Sequence, residues 1–222
     1  MEKAGSDLPC KRPYDLGKRQ EASDRTRDRV LEAARNQLES GGVRDLTMES
    51  LAKASGVTRQ TIHNLFGTKT AILEGLFDRI AIDAGMGRMR EVMTASDPER
   101  MLAAFVAVFT GFWAKDRLLL KRIHGIAAVD PEFGKAVAAR NQRRKMAAAR
   151  VVERLSAIGP GADEDQRIRK LAILVALTSF EFFDALVESS GSAEQAAQSV
   201  YTVVKKAMQT GQDDERASAD AE

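Results

Sequence analysis

The stretch TMESLAKASGVTRQTIHNLFGTK, Thr47 to Lys69, decides how this chain is read. Thr47 precedes apolar Met48, Leu51 and Ala52, the pattern of a short helix opened by a capping side chain. Gly56 ends it, because a tight turn between helices favours a residue that tolerates positive φ. Ala52, four residues earlier, is small enough for two helices to cross closely. Thr58 then caps a second helix. On that helix Ile62, Leu65 and Phe66 share a face that points into a core, while Arg59, Gln60, His63 and Asn64 point outward. Two short helices joined this way can place the second in the DNA major groove. The outward residues are types that bond to base edges or phosphates. An ordinary helical hairpin with a polar face has the same local pattern, so the surrounding sequence has to decide.

The chain has 222 residues, enough for one small and one larger domain. It is rich in Ala, Leu, Arg, Glu and Met, and has only five prolines. No long stretch alternates apolar with polar residues, so an all-α fold is expected. Net charge is only +2, so a nucleic-acid signal has to come from local clustering. The single cysteine, Cys10, excludes an internal disulfide, and with two histidines no metal site and no cofactor are expected. No apolar run reaches membrane-spanning length and the N-terminus has no signal-peptide core, so a cytoplasmic protein is expected. Enzymatic nucleophile–base sets need histidine or a placed cysteine, and only His63, His124 and Cys10 exist. There is no Gly-rich phosphate loop after a strand. A non-enzyme is expected.

From about Arg25 to Leu76 the chain resembles the N-terminal DNA-binding domain of the TetR family of bacterial transcriptional regulators. The resemblance rests on Gly41-Gly42 after a first helix, Thr47 opening the second, Ala52, Gly56-Val57, Thr58 and Thr61 on the recognition helix, Phe66 at its end, and Lys69 beyond. It covers about a quarter of the chain. Two positions depart from the family pattern: His63 stands where Tyr is common, and Leu65 where His or Tyr is frequent. A His63 that contacts phosphate does so more strongly when protonated, which predicts operator affinity rising as pH falls.

Composition divides the chain into a disordered leader over 1–23, a DNA-binding domain over 24–67, a connecting helix within 68–96, a regulatory and dimerisation domain over 97–210, and a disordered acidic tail over 211–222. The leader and the start of the first helix hold Lys11, Arg12, Lys18, Arg19, Arg25, Arg27 and Arg29, which read either as a solvated tail or as a basic arm able to follow a phosphate backbone. The first helix buries Val30, Leu31, Ala34 and Leu38. Three helices make a small core, which should dock on the body through the connecting helix. That helix spans 68–93, with Ile72, Leu73, Leu76, Phe77 and Ile80 on its packing stripe and Gly85 and Gly87 able to bend it. Asp97-Pro98 and Asp130-Pro131 read as helix starts, Gly159-Pro160-Gly161 as a loop, and Ser192 with Gln195 as a capping box. Helices are expected near 98–114, 117–127, 131–157, 164–189 and 192–209.

Leu171–Leu177 is apolar almost all round, which places core on one side and a partner on the other. The expected dimer interface comprises Leu174, Leu177, Val200, Tyr201, Val204 and Met208. The family resemblance likewise implies a homodimer formed by the last two long helices. It also implies a small-molecule effector inside the C-terminal body. Candidate pocket residues are Phe105, Phe109, Phe112, Trp113, His124, Met146, Phe180, Glu181 and Phe183, with Met101 beside them. Glu181 among aromatic neighbours, if buried, would select a cationic or hydrogen-bonding ligand.

The expected protein is therefore a dimeric, sequence-specific regulator of double-stranded DNA, a repressor released from a palindromic operator by an effector. Arg59 is the candidate guanine reader, with Gln60 and Asn64 for adenine. Thr47, Thr58, Thr61, His63 and Lys69 are candidate phosphate anchors. The alternative is a helical adaptor that binds protein through its body and whose helix-turn-helix is degenerate.

Overall fold

The computed structural model describes residues 16–40, 46–157 and 163–209. Every regular element among them is helical. In chain order these are α1 (Leu16–Ser40), α2 (Met48–Ser55), α3 (Arg59–Phe66), α4 (Lys69–Asp83), one 3₁₀ turn (Met86–Arg88), α5 (Met89–Thr94) and α6 (Pro98–Lys115). They continue with α7 (Arg117–Val129), α8 (Pro131–Ser156), α9 (Glu164–Leu177), α10 (Phe180–Ser190) and α11 (Ala193–Gln209). Among the described residues no helix is long and apolar enough to cross a membrane. Cys10, Gly41-Gly42, the Gly159-Pro160-Gly161 loop and the acidic tail lie outside the described residues.

Val30, Ala34 and Leu38 of α1 meet Leu51 of α2 and Ile62 of α3 in a fully buried nucleus. α4 seals it with Ile72, Leu73 and Leu76, and its next turns carry the same core into the body. There Phe77 meets Phe112 of α6 edge-on, ring centres 5.7 Å apart. The small three-helix unit thus shares its core with the body, as its size requires. Polar ties reinforce the junction: Arg35 of α1 pairs with Asp116 ahead of α7, and Arg122 of α7 donates to the Leu38 carbonyl. The two Asp-Pro starts behave as read. Asp97 accepts from the Glu99 amide at 2.9 Å, and Asp130 from the amides of Glu132 and Phe133 at 3.1 Å each.

Three boundaries differ from the sequence reading. First, residues 16–23, expected as disordered leader, are the opening turns of α1. They carry Lys, Arg, Gln, Glu and Ala, all good helix formers, and no proline. Second, the connecting helix expected over 68–93 stops at Asp83. Gly85 adopts left-handed φ 74°, which ends the helix rather than bending it.

Third, the helix expected over 164–189 is broken at Thr178-Ser179. Ser179 donates its amide to Ala176, one residue closer than a continued helix would, and its hydroxyl accepts from the Phe182 amide. The carbonyls of Val175 and Thr178 therefore lose their helical donors. Arg144 of α8 takes the first at 2.6 Å and Trp113 Nε1 of α6 takes the second at 3.1 Å. Two side chains from other helices thus satisfy the buried break.

Candidate nucleic-acid interface

Each helix of the Thr47–Lys69 segment opens on a threonine. Thr47 has extended backbone and accepts the Ser50 amide at 3.1 Å, while Ser50 Oγ accepts the Thr47 amide at 3.0 Å, a reciprocal capping box. Thr58 accepts the Thr61 amide at 3.1 Å. Thr68 does the same for Ala71 at 3.1 Å. Between α2 and α3, Gly56 has φ 66° and ψ 32°, which a side chain would strain. Three caps and one glycine set the α2–α3–α4 geometry before any tertiary contact is counted.

Ile62 and Phe66 fix α3 on the core. Thr47, Thr58, Arg59, Gln60, His63 and Asn64 are exposed, and Thr61 and Lys69 are half-buried. Gln60 Nε2 donates to Asn64 Oδ1 at 2.9 Å along the outer face, which holds the two amides in one row. His63 Nδ1 lies 2.9 Å from the Gly67 carbonyl, so Nδ1 carries the proton and Nε2 is left for an outside partner. Arg59 makes no hydrogen bond or ion pair among the described residues. α3 therefore presents a free guanidinium, a paired amide row and an imidazole on one face. The exposed Thr47 and Thr58 hydroxyls lie at helix N-termini that favour anions.

Two arginines of the expected basic arm have another role. Arg27 donates to the Leu65 carbonyl at 3.2 Å and its guanidinium lies 4.4 Å from the Phe66 ring centre. Arg29 donates to the carbonyls of Ser55 and Gly56. Both brace the helix-turn-helix from behind instead of extending from it. Only spacing along α1 distinguishes them from Arg25, so the sequence carried little signal of this.

Of the pocket residues expected from sequence, Phe109, Phe112 and Trp113 line a cavity of about 250 Å³. The opposite walls come from Phe77 and Asp78 of α4, from Met86 and Met89, and from Arg140 and Arg144 of α8. The remaining candidates lie elsewhere. Met101, Phe105 and Phe183 are closed core side chains. Met146 is 55% exposed, two residues beyond Arg144 and so on the other side of α8. His124 and Phe180 meet Trp113 edge-on outside the cavity, with ring centres 5.9 and 5.5 Å from it. Glu181 is exposed, not buried among aromatics. It pairs with His124 Nδ1 at 3.0 Å. That hydrogen bond holds its carboxyl down to about 2 against the opposing effect of burial.

The cavity arginines were missed because RNQRRK in α8 reads as solvated surface. Yet Phe133, Val137, Arg140, Arg144, Ala148 and Val151 follow one helical stripe. Two charges on a core stripe were the signal available.

Leu174, Val200 and Val204 have no exposed surface and Met208 only 7%, so their own protomer already fills the space around them. Leu177 and Tyr201 are half-buried. The apolar side chains left outside on these helices are Ile168 and Ile173 of α9 and Val203 of α11, at 56, 39 and 43% exposure.

The sequence profile of bacterial regulatory proteins of the tetR family matches residues 30–76. Over 117 residues the chain is 31% identical to the HTH-type transcriptional regulator AlkX of Mycobacterium tuberculosis, covering 47% of this chain and 50% of that protein. The match thus spans about half the length of that relative. Two solved structures share the fold over nearly their whole length. NalD, the secondary repressor of the MexAB-OprM multidrug efflux pump in Pseudomonas aeruginosa, superposes with TM-score 0.60 at 19% identity, covering 84% of this chain and 97% of that one. A transcriptional regulator from Saccharomonospora viridis in complex with choline superposes with TM-score 0.60 at 18% identity, covering 82 and 96%.

Proposed function

The chain belongs to the TetR family of bacterial regulatory proteins, and on that premise we propose that it is a dimeric repressor whose α3 helices read a palindromic operator. The observation that carries this reading is the outer face of α3. Arg59 has no partner among the described residues, Gln60 and Asn64 are aligned, and the helix is anchored through Ile62 and Phe66. Arg59 offers the bidentate fork that suits guanine, and the amide row suits adenine. Thr47, Thr58, Thr61, His63 and Lys69 surround that face as phosphate contacts.

Dimerisation joins two such faces at the spacing of one operator. In this reading the seam runs along the exposed sides of α9 and α11, through Ile168, Ile173 and Val203 with Leu177 and Tyr201 beside them. The cavity supplies the control. Phe77 and Asp78 belong to α4, and α4 begins directly after α3, so an occupant that displaces α4 moves the recognition helix. A ligand that prefers the displaced arrangement weakens DNA binding by its differential affinity. The repressor NalD and the choline-bound regulator have the same fold, which supports both repression and a small-molecule site. A protein-binding adaptor is the weaker reading, because it gives no role to an unpaired Arg59 beside ordered amides.

Light scattering with and without DNA tests the assembly. The expected result is a dimer that binds one duplex site, and a monomer with much reduced DNA affinity for the double variant Ile173→Glu, Val203→Glu. A wild-type monomer bound singly to DNA would contradict the proposal.

A further inference from the structure

Arg144 is a buried charge that forms no ion pair with a carboxylate among the described residues. Only 7% of its surface is exposed. Its Nη1 donates to the Val175 carbonyl at 2.6 Å and to the Thr178 hydroxyl at 3.0 Å, both neutral acceptors. Its Nε is shielded and has no partner among the described residues. The contrast with Arg140, one turn earlier, is direct. Arg140 engages Asp78 at 2.7 Å and Glu74 at 3.4 Å. Two arginines of α8 therefore line the same cavity, one neutralised by α4 and the other by no carboxylate among the described residues.

The charge balance of the cavity has one sign. Asp78 is the one acid among the described residues that line it, and Arg140 already holds that carboxylate. Exposed Arg143 lines it too and pairs with no acid among the described residues. Apart from the neutral amide of Asn141, the rest of the wall is apolar and led by Phe77, Phe109, Phe112 and Trp113. An ionised group in such surroundings is costly unless an opposite charge joins it. Burial weakens the Arg144 guanidinium's hold on its proton, and the charge of Glu181 only partly opposes this.

We propose that the cavity binds a small organic anion, a monocarboxylate with one aromatic ring or a short aliphatic chain. The carboxylate anchors on the Arg144 guanidinium where it lines the cavity, and the body packs on the aromatic wall. A cavity of about 250 Å³ lies below the roughly 300–1,000 Å³ of drug-sized sites, which limits the body to that size. A carboxylate satisfies the guanidinium through charge-assisted hydrogen bonds that a neutral isostere cannot make. The inference rests on the effector-cavity reading above and narrows it to one ligand chemistry.

Trp113 is the chain's one tryptophan and lines the cavity, so its fluorescence reports occupancy. The full chain is titrated at neutral pH with phenylacetate against phenylacetamide, and with hexanoate against hexanamide. Each acid is expected to bind about tenfold or more tightly than its amide, the size of a charged hydrogen bond. The preference is expected to vanish in Arg144→Gln. That variant also loses the tie to Val175, so the acid–amide comparison on the wild type stands by itself. Equal affinities for acid and amide would overturn the inference, and so would an unchanged Trp113 signal with all four compounds. Amides that bind equally well and release DNA would overturn it while leaving the effector cavity standing. Operator binding by the unliganded protein tests the regulator reading separately.

Discussion

Arg140 on α8 holds Asp78 on α4 at 2.7 Å, and the same guanidinium reaches the Glu74 carbonyl at 3.3 Å. It also lies 5.1 Å from the centre of the Phe77 ring. One side chain thus binds the helix that follows the recognition helix to α8, which lines the cavity. Arg140→Ala removes these contacts and leaves Asp78 unpaired. Asp78 is 60% exposed and is solvated once unpaired, so the expected loss is about 1 kcal/mol of stability, with faster amide exchange along α4. Urea unfolding and hydrogen exchange check this. An unchanged urea midpoint and unchanged α4 protection would show that α4 is held by apolar packing alone.

Arg59 and Lys69 should separate readout from anchoring. Arg59→Ala is expected to cost about 1–3 kcal/mol at the cognate site and to relax base preference there. Lys69→Ala is expected to weaken all duplexes alike and to reduce the salt slope by about 1. Anisotropy titrations over a salt series with cognate and scrambled duplexes distinguish the two. A uniform loss for Arg59→Ala would assign it to phosphate instead.

The turn and its cap should each have a measurable stability cost. Thr58→Ala loses the acceptor for the Thr61 amide and should cost about 1 kcal/mol. Gly56→Ala should cost about 1 kcal/mol or more through its positive φ. The new Cβ would lie 2.9 Å from Arg29 Nη2, the mobile end of a side chain, so the backbone and not the contact sets the penalty. Thermal unfolding of both variants is the check, and a neutral Gly56→Ala would contradict the left-handed turn.

The His124–Glu181 contact predicts an acid-limb effect. The Glu181 carboxyl is held down to about 2 from its ordinary 4.5, chiefly by the His124 hydrogen bond. A lowered folded-state value stabilises the fold above pH 4.5, and the contribution is lost as pH falls towards 2. The stability difference between wild type and Glu181→Gln should therefore shrink across that window. Glu181 is 70% exposed, so the effect is small and weakened further by salt. A difference that stays constant through the window would exclude the contact in solution.

The helix-turn-helix was legible because its determinants are local. Thr47, Gly56 and Thr58 act on backbone within three or four residues of themselves, and the apolar spacing of Ile62 and Phe66 orients α3. What sequence spacing concealed depends on distant partners. The break at Thr178-Ser179 is tolerated because Arg144 and Trp113 donate to its carbonyls from 31 and 65 residues away. The cavity wall was half legible. Its aromatic side followed helical spacing on α6, but its arginines lay in a stretch of α8 that resembles solvated surface. Leu174, Val200 and Val204 show the limit of an apolar stripe, which cannot by itself tell monomer core from dimer seam.

The most direct measurement is selection of bound duplexes from a random DNA library with the purified full chain at near-physiological salt. A dimeric operator reader predicts one enriched palindrome, with the base preference opposite Arg59 relaxed when Arg59→Ala is selected in parallel. Weak, purely salt-driven binding with no enriched sequence would contradict sequence-specific regulation and bring the adaptor reading forward.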